Sequence, residues 1–376
     1  MTPRIRLGMV GGGQGAFIGA VHRIAARIDD RFDLVAGALS SDPARARASA
    51  DEIGLPRSYG AYIEMAEAEA AREDGIQAVA IVTPNNLHAP VAEAFLRAGI
   101  HVICDKPLTA TLDEAYVLAE LVRQNDSLFV LTHNYTGYPM IRQARAMVAA
   151  GELGTLRLIN AEYLQDWLAE TPAPDQKQAA WRLDPEQAGA GALGDIGTHA
   201  HNLACFVAGQ SVAQVAADVG SLVSGRIIDD NVHATLRFSG GARGTLWASQ
   251  VAIGHENGLS LRIYGDKAGL RWHQEEPNKL WFTRLGQPPQ LLTRSGSGAA
   301  DVANRVSRVP AGHPEGYLEG FATIYSEAAD AILATETGGT LPADHHVNGI
   351  EEGVAGMRFI AACLKSSKAD GLWTAL

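Results

Sequence analysis

Several short clusters of this 376-residue chain bring together residue types that can do chemistry. Gly11-Gly12-Gly13-Gln14-Gly15 ends the apolar run Ile5–Val10 and opens an Ala/Ile-rich stretch. Glycines between a strand and a helix let backbone amides and the helix N-terminus cradle a pyrophosphate. The spacing is irregular: the third place of Gly-x-Gly-x-x-Gly falls at Ala16, and Gly19 fills it only with three extra residues. Thr83-Pro84-Asn85-Asn86-Leu87-His88 and Asp105-Lys106-Pro107 both follow apolar runs, where open α/β sheets bind ligands. Proline and asparagine also simply end strands, and most lysines are solvated surface charges. Gly194-Asp195-Ile196-Gly197-Thr198-His199 sets an acid and an imidazole four residues apart, on one face if the segment is helical. An imidazole titrating near neutrality suits proton transfer, although an Asp–His pair is as often a structural hydrogen bond.

The elements that must position these clusters alternate through the first third of the chain. Strands are expected at Ile5–Val10, Phe32–Leu39, Ile76–Val82, His101–Asp105 and Leu128–His133, with helices between them. Ser41-Asp42-Pro43 supplies an N-cap and a first-turn proline for one of those helices. Apolar strands separated by amphipathic helices call for a parallel sheet covered on both faces, a doubly wound α/β domain over 1–131. Beyond it the pattern changes. Strands at Arg157–Leu164, Val212–Val219, Asn231–Phe238, Gly244–Val251 and Leu259–Gly265 follow with few helices between, after a polar stretch over 165–194. That grammar predicts an α+β domain over 132–376 with a largely antiparallel open sheet, closed by helices at Gly312–Glu336 and Val347–Ser366. A sheet with so little helical cover is expected to bury its other face against a second copy, as a homodimer or homotetramer.

Composition narrows the partners. The net charge of −11 gives no electrostatic footprint for nucleic acid or an anionic membrane. Cys104, Cys205 and Cys363 are scattered and never in Cys-x-x-Cys spacing, the usage of buried thiols in a reducing compartment. No apolar run approaches the ~18 residues that span a bilayer. A cytoplasmic protein is expected.

Taken in order, the clusters resemble the glucose–fructose oxidoreductase/inositol dehydrogenase (Gfo/Idh/MocA) family along nearly the whole chain. The resemblance runs from the glycine turn and Gly19-x-x-His22 through Thr83-Pro84-Asn85-x-x-His88 and Asp105-Lys106-Pro107 to Trp181-Arg182 and Gly191–His199. Asp-Lys-Pro stands where the family has Glu-Lys-Pro, and Asn202 stands where it often has an acid after the histidine. The resemblance implies a Rossmann domain binding NAD or NADP through Gly11, Gly13, Gln14, Gly15, Thr83, Pro84, Asn85, His88, Asp105 and Lys106. It implies a dehydrogenase acting on a sugar or cyclitol, with Tyr135 lining the substrate pocket.

Such a reaction removes a proton from oxygen while a hydride leaves carbon. His199 is then the candidate general base, Lys106 the donor to the developing alkoxide, and Asp195 the group that orients a hydroxyl or His199. Trp181 and Arg182 offer an apolar face and donors to a sugar, and His313, at a helix start, is a further candidate to face it; for Tyr135 and His313 ordinary packing is equally expected. No metal is expected, since Lys106 and His199 supply the polarising charge and no cysteine ligands accompany His199 and His201. The second strand delivers Ser40-Ser41 rather than an acid, and Arg45 follows on the next helix. Hydroxyls and a cation there predict that NADP is accepted at least as well as NAD. Two rival classes share these residues: an enzyme that cleaves glycosides by transient oxidation and elimination, and a non-catalytic dinucleotide sensor. Intact Lys106, Asp195 and His199 argue against the sensor.

Overall fold

The computed structural model describes residues 4–172 and 181–376; the part of the polar stretch at 173–180 lies outside the described residues. The chain forms two compact units. One runs to His133 and takes in Phe321–Val354; the other is Asn134–Gly320 with Ala355–Leu376. The boundary expected after residue 131 therefore falls two residues later. Residues 321–354, grouped by sequence with the second domain, pack with the first.

The first unit is built on six strands: β1 (Ile5–Gly11), β2 (Phe32–Ala38), β3 (Arg57–Ser58), β4 (Ala78–Val82), β5 (His101–Cys104) and β6 (Phe129–Leu131). They lie in the order β3-β2-β1-β4-β5-β6 and every pair is parallel. Each of the five crossovers carries a helix: α1 (Phe17–Ile28), α2 (Pro43–Glu52), α3 (Tyr62–Ala70), α4 (His88–Arg97) and α5 (Leu112–Arg123). Every residue of β4 and β5 is buried, because a sheet covered on both faces leaves no polar side for alternation to mark. Local chemistry sets the helix starts. Asp42 Oδ1 accepts from the amide of Arg45 at 2.8 Å with Pro43 in the first turn, and Thr111 and Glu114 form a reciprocal capping box on α5.

The helix Tyr317–Thr337 joins this unit through α1. His22, fully buried, meets the Tyr325 hydroxyl at 2.8 Å through Nδ1, and the Phe321 ring lies 5.0 Å from it.

The second unit holds β7 (Leu156–Leu164), β8 (Val212–Gly220), β9 (Asn231–Phe238), β10 (Arg243–Ser249), β11 (Gly258–Gly265), β12 (Ala268–His273), β13 (Lys279–Arg284), β14 (Gln290–Thr293) and β15 (Thr374–Ala375). Their order is β14-β13-β12-β11-β7-β10-β9-β8-β15, antiparallel throughout except where β7 runs parallel to β10. Strands β12 to β14 were not among those expected from the sequence, although Leu270, Trp272, Leu280 and Phe282 alternate inward on β12 and β13. The helix Thr198–Ala208 packs on β7, β10 and β11, and α6 (Pro139–Ala149) on β12 and β13. The opposite face carries Asn160, Glu162, Thr235, Thr245 and a His233–Trp247 stack with centroids 5.1 Å apart. Among the described residues no helix is long and apolar enough to cross a membrane.

Candidate active site

In the first unit the glycine turn is a place where side chains are sterically forbidden. Gly11, Gly12 and Gly15 have φ of 80°, 72° and 77°, a region costly for any residue with a Cβ. A Cβ on Gly13 would come within 2.6 Å of the Leu39 carbonyl oxygen. One on Gly19 would come within 2.4 Å of Gly12, so Gly19 is the third glycine of the fingerprint, three residues later than the usual spacing. Helix α1 starts after Ala16, an N-cap residue with no side chain that could cap the helix, which fits an anionic group of the ligand. The Gln14 side chain, assigned to the cofactor from the sequence, donates to Glu52 at 2.8 Å, and its amide donates to Ser49 at 3.1 Å.

At the end of β2, Ser40 Oγ accepts from the Asp42 amide at 3.2 Å, and Arg45 is exposed on α2. After β4, Thr83 Oγ1 and Asn86 Oδ1 are buried with no partner among the described residues, and Asn85 is buried beside them. Orphaned polar atoms at the carboxyl end of a parallel strand fit a dinucleotide that would complete them. His88 is placed differently from its sequence assignment. Its ring is buried, with Nδ1 2.8 Å from the Pro107 carbonyl and Nε2 3.0 Å from the Thr83 carbonyl. It sits between the Thr83 turn and the Lys106-Pro107 turn, and as a neutral ring it donates to one of the two carbonyls. Burial pushes this imidazole down, against the pull of Asp105.

Asp105 accepts from Thr132 Oγ1 at 2.8 Å, and His22 Nε2 lies 3.8 Å from the same oxygen. Burial alone would raise this carboxyl, but the His22 contact and the neighbouring Lys106 and His88 outweigh it and hold it well below the usual carboxylate range. The site thus keeps a fixed anion beside Lys106.

In the second unit the acid–imidazole pair sits where one wide turn of π-helix, Leu193–Gly197, runs into the helix Thr198–Ala208. Asp195 lies in the wide turn and His199 in the first turn of the helix, so the segment is helical but looser than the α-helical spacing assumed. Asp195 Oδ2 accepts from Arg182 Nε at 3.3 Å and from Gln250 Nε2 at 2.9 Å. Arg182 in turn lies over the Trp181 ring, 4.3 Å from its centroid. His199 is mostly buried, with the Tyr135 ring edge-on at 4.8 Å and Tyr163 at 6.2 Å.

Tyr163 donates its only hydroxyl proton to Asn257 Oδ1 at 2.8 Å, so Tyr135 donates across the 2.5 Å contact between the two hydroxyls. Burial pushes both phenols up, which keeps them protonated. Gln165 also donates to Asn257, and Trp167 donates to Gln165.

The structure therefore gathers Asp195, Arg182 and Trp181 through direct side-chain contacts, and sets Tyr135 against His199. It does not bring His313 to them: that ring is exposed and bonds the Pro310 carbonyl of its own turn. Tyr317 takes a place near Tyr135 instead, at 6.5 Å. His201, two residues past His199, stacks on Phe359 at 4.4 Å and meets Cys205 Sγ at 3.6 Å. Burial pushes its imidazole down to about 4.

Sequence reasoning missed Tyr163, Gln165, Gln250 and Asn257. A signal existed for one of them: Gln165 stands one residue past the expected strand Arg157–Leu164, whereas Gln250 falls inside the expected strand Gly244–Val251 and follows the strand end only in the structure. Because β7 and β10 are parallel neighbours, those ends emerge side by side, with the Gln165 amide donating to the Ser249 carbonyl at 2.8 Å.

Comparison with known proteins agrees with this division. Residues 5–135 match the model of an oxidoreductase family with an NAD-binding Rossmann fold, and residues 141–271 match the GFO/IDH/MocA C-terminal domain. A solved oxidoreductase of Sinorhizobium meliloti is 55% identical, with a TM-score of 0.91 over 99% of both chains. An inositol dehydrogenase homolog of Azotobacter vinelandii, solved with NAD+, is 38% identical with a TM-score of 0.96 over 100% of this chain and 98% of that one. Levoglucosan dehydrogenase of Pseudarthrobacter phenanthrenivorans is 29% identical over 305 residues, 73% of this chain and 75% of that one. The glycine turn, the Asp105-Lys106-Pro107 turn and the Asp195–His199 segment are carried by a chain that belongs to the Gfo/Idh/MocA family of NAD(P)-dependent oxidoreductases.

Proposed function

We propose that the protein oxidises a secondary hydroxyl of a sugar, glycoside or cyclitol, with His199 as the base and Lys106 assisting. The observation that carries this reading is the second-unit cluster. Asp195 is held by two side-chain donors, and His199 is ringed by tyrosines that burial keeps protonated. Bound NAD or NADP supplies the acceptor for the hydride. His199 takes the proton from the substrate oxygen, and the Lys106 ammonium hydrogen-bonds that oxygen as negative charge develops on it. Asp195 accepts from a neighbouring hydroxyl, with Arg182 and Gln250 fixing its carboxylate. Trp181 and Trp167 offer flat apolar surfaces of the kind that pack on a pyranose or cyclitol face. The inositol dehydrogenase homolog, solved also with NADH and myo-inositol, and the levoglucosan dehydrogenase support polyols of this class.

Absorbance of the reduced cofactor, followed across pyranosides, anhydrosugars and inositols with each dinucleotide, tests the reading. Production of NADH or NADPH in proportion to polyol consumed is expected. Consumption of a glycoside with no net reduced cofactor would establish oxidation and elimination in its place.

The same reading gives Ser40 and Arg45 to the adenosine ribose and expects NADP to be accepted at least as well as NAD. It also gives the uncovered sheet face around the His233–Trp247 stack to a second copy of the chain. A dimer or tetramer mass by light scattering at micromolar concentration is expected, and a monomer mass would refute it.

A further inference from the structure

Two consecutive acids, Asp229 and Asp230, stand just before β9 and are used by neither the cradle nor the proton chemistry. Asp229 Oδ1 accepts from the Gly191 amide at 2.6 Å and Oδ2 from the Leu193 amide at 2.8 Å. Its own carbonyl accepts from the Ala192 amide at 3.0 Å. No lysine or arginine among the described residues pairs with Asp229, so backbone amides at the opening of a helical segment hold its charge. A Cβ on Gly191 would lie 1.8 Å from the Asp229 carbonyl oxygen, so the two backbones touch where the carboxylate grips.

Asp230 completes a ring from the other side. Its carbonyl accepts from the Gln250 amide at 2.9 Å, and the Gln250 side chain donates to Asp195 Oδ2 at 2.9 Å. Its carboxylate is bound by Arg226 at 2.9 Å and by the amides of Leu222 and Val223. One dipeptide therefore fixes the entry of the catalytic segment and, through Gln250, the carboxylate within it.

We infer that Asp229 is the positioning residue of the Asp195–His199 segment, its two carboxylate oxygens setting the rotation of the wide turn that carries Asp195 and leads into the helix that carries His199. The inference rests on the proposed roles of Asp195 and His199. A half-buried carboxylate without a cation is costly to keep, and desolvation pushes Asp229 upward against the pull of the Leu193 and Gly191 amides. An asparagine or a serine would cap the amides more cheaply. What only the carboxylate offers is two equivalent acceptors, one for each amide.

The test uses Asp229→Asn, which keeps volume and one acceptor, and Asp229→Glu, which keeps the charge but displaces it by one methylene. Asp266→Asn is the control: Asp266 also accepts from a backbone amide, that of Thr155 at 2.9 Å, but at the opposite end of β7. Both Asp229 variants are expected to lower kcat for the polyol about 10- to 100-fold with nucleotide Kd unchanged. They are also expected to speed hydrogen exchange at Gly191 and Leu193 and to shift the pH midpoint of His199 seen by NMR. Asp266→Asn should do none of these. Wild-type kcat with an unmoved His199 midpoint in Asp229→Glu, or equal losses in Asp266→Asn, would overturn the inference. If the unmutated protein reduces no cofactor with any polyol, the proposed function falls. The exchange and titration measurements then still decide whether Asp229 positions the segment.

Discussion

In the first unit, the surface offered to a ligand is made largely by side chains that are missing. Gly11, Gly12 and Gly15 hold left-handed backbone, and Gly13 and Gly19 are pressed against carbonyl oxygen and backbone. In the second unit it is made by side chains that converge from separate segments, with Arg182, Asp195 and Gln250 meeting at one carboxylate oxygen. The difference follows from what each must hold. A pyrophosphate is served by backbone amides, which every residue has, so the requirement there is room. A polyol hydroxyl needs directed donors and acceptors, which only specific side chains supply, each held by a second hydrogen bond.

The sharpest way to break this contrast is to remove one reacting side chain. His199→Ala or Lys106→Ala should lower turnover about 10²–10⁴-fold while dinucleotide affinity changes much less, because the shape of the glycine cradle depends on neither side chain. Equilibrium dialysis or fluorescence titration with each dinucleotide, beside steady-state kinetics, checks it. Near-normal turnover in either variant would remove that residue from the mechanism.

A second measurement separates two histidines on one helix. The folded His201 ring binds its proton only near pH 4, whereas an exposed imidazole does so near 6.5, so between those values the unfolded chain holds more protons. Stability therefore falls as pH drops from about 6.5 to about 4 and levels off below, a loss from this residue of about 3 kcal/mol. Denaturant unfolding of His201→Leu should show that component gone, and a pH dependence identical to the unmutated chain would mean the ring is not neutral when folded.

Cradle and cluster can also be tested from the cradle side. Gly13→Ala puts a methyl 2.6 Å from the Leu39 carbonyl oxygen and should cost about 1–3 kcal/mol in dinucleotide affinity, with kcat at saturation little changed. A loss confined to kcat would show that the turn does not hold the ligand. The smallest expected effect is on cofactor choice. Ser40→Asp restores an acid at the end of β2 and should shift preference towards NAD about tenfold, the ratio that ~1.4 kcal/mol gives. Kinetics with both dinucleotides decide it, and strict NAD dependence before mutation would displace Ser40 from the ribose.

The same contrast explains how much could be read in advance. The alternation of strands and helices to residue 131, the cap at Asp42 and the cluster residues Lys106, Asp195 and His199 are local features. Hydrophobic period and turn chemistry act over a few neighbouring residues, so they are legible in a linear string. Gly19 was readable as a candidate, and became the third glycine only once its contact with Gly12 was known. Strands β12 to β14 were missed although their alternation is present, since short amphipathic runs compete with loop readings when their partners are unknown. What the tertiary structure alone decided is convergence. Gln165 and Gln250 become neighbours because β7 pairs in parallel with β10, and residues 321–354 return to the first unit through His22 and Tyr325. His199 meets Tyr135 while His201 meets Phe359, a choice set by which helix face packs on which element. Such pairings rest on the summed burial of residues far apart in the chain, and no local pattern encodes which distant partner satisfies them.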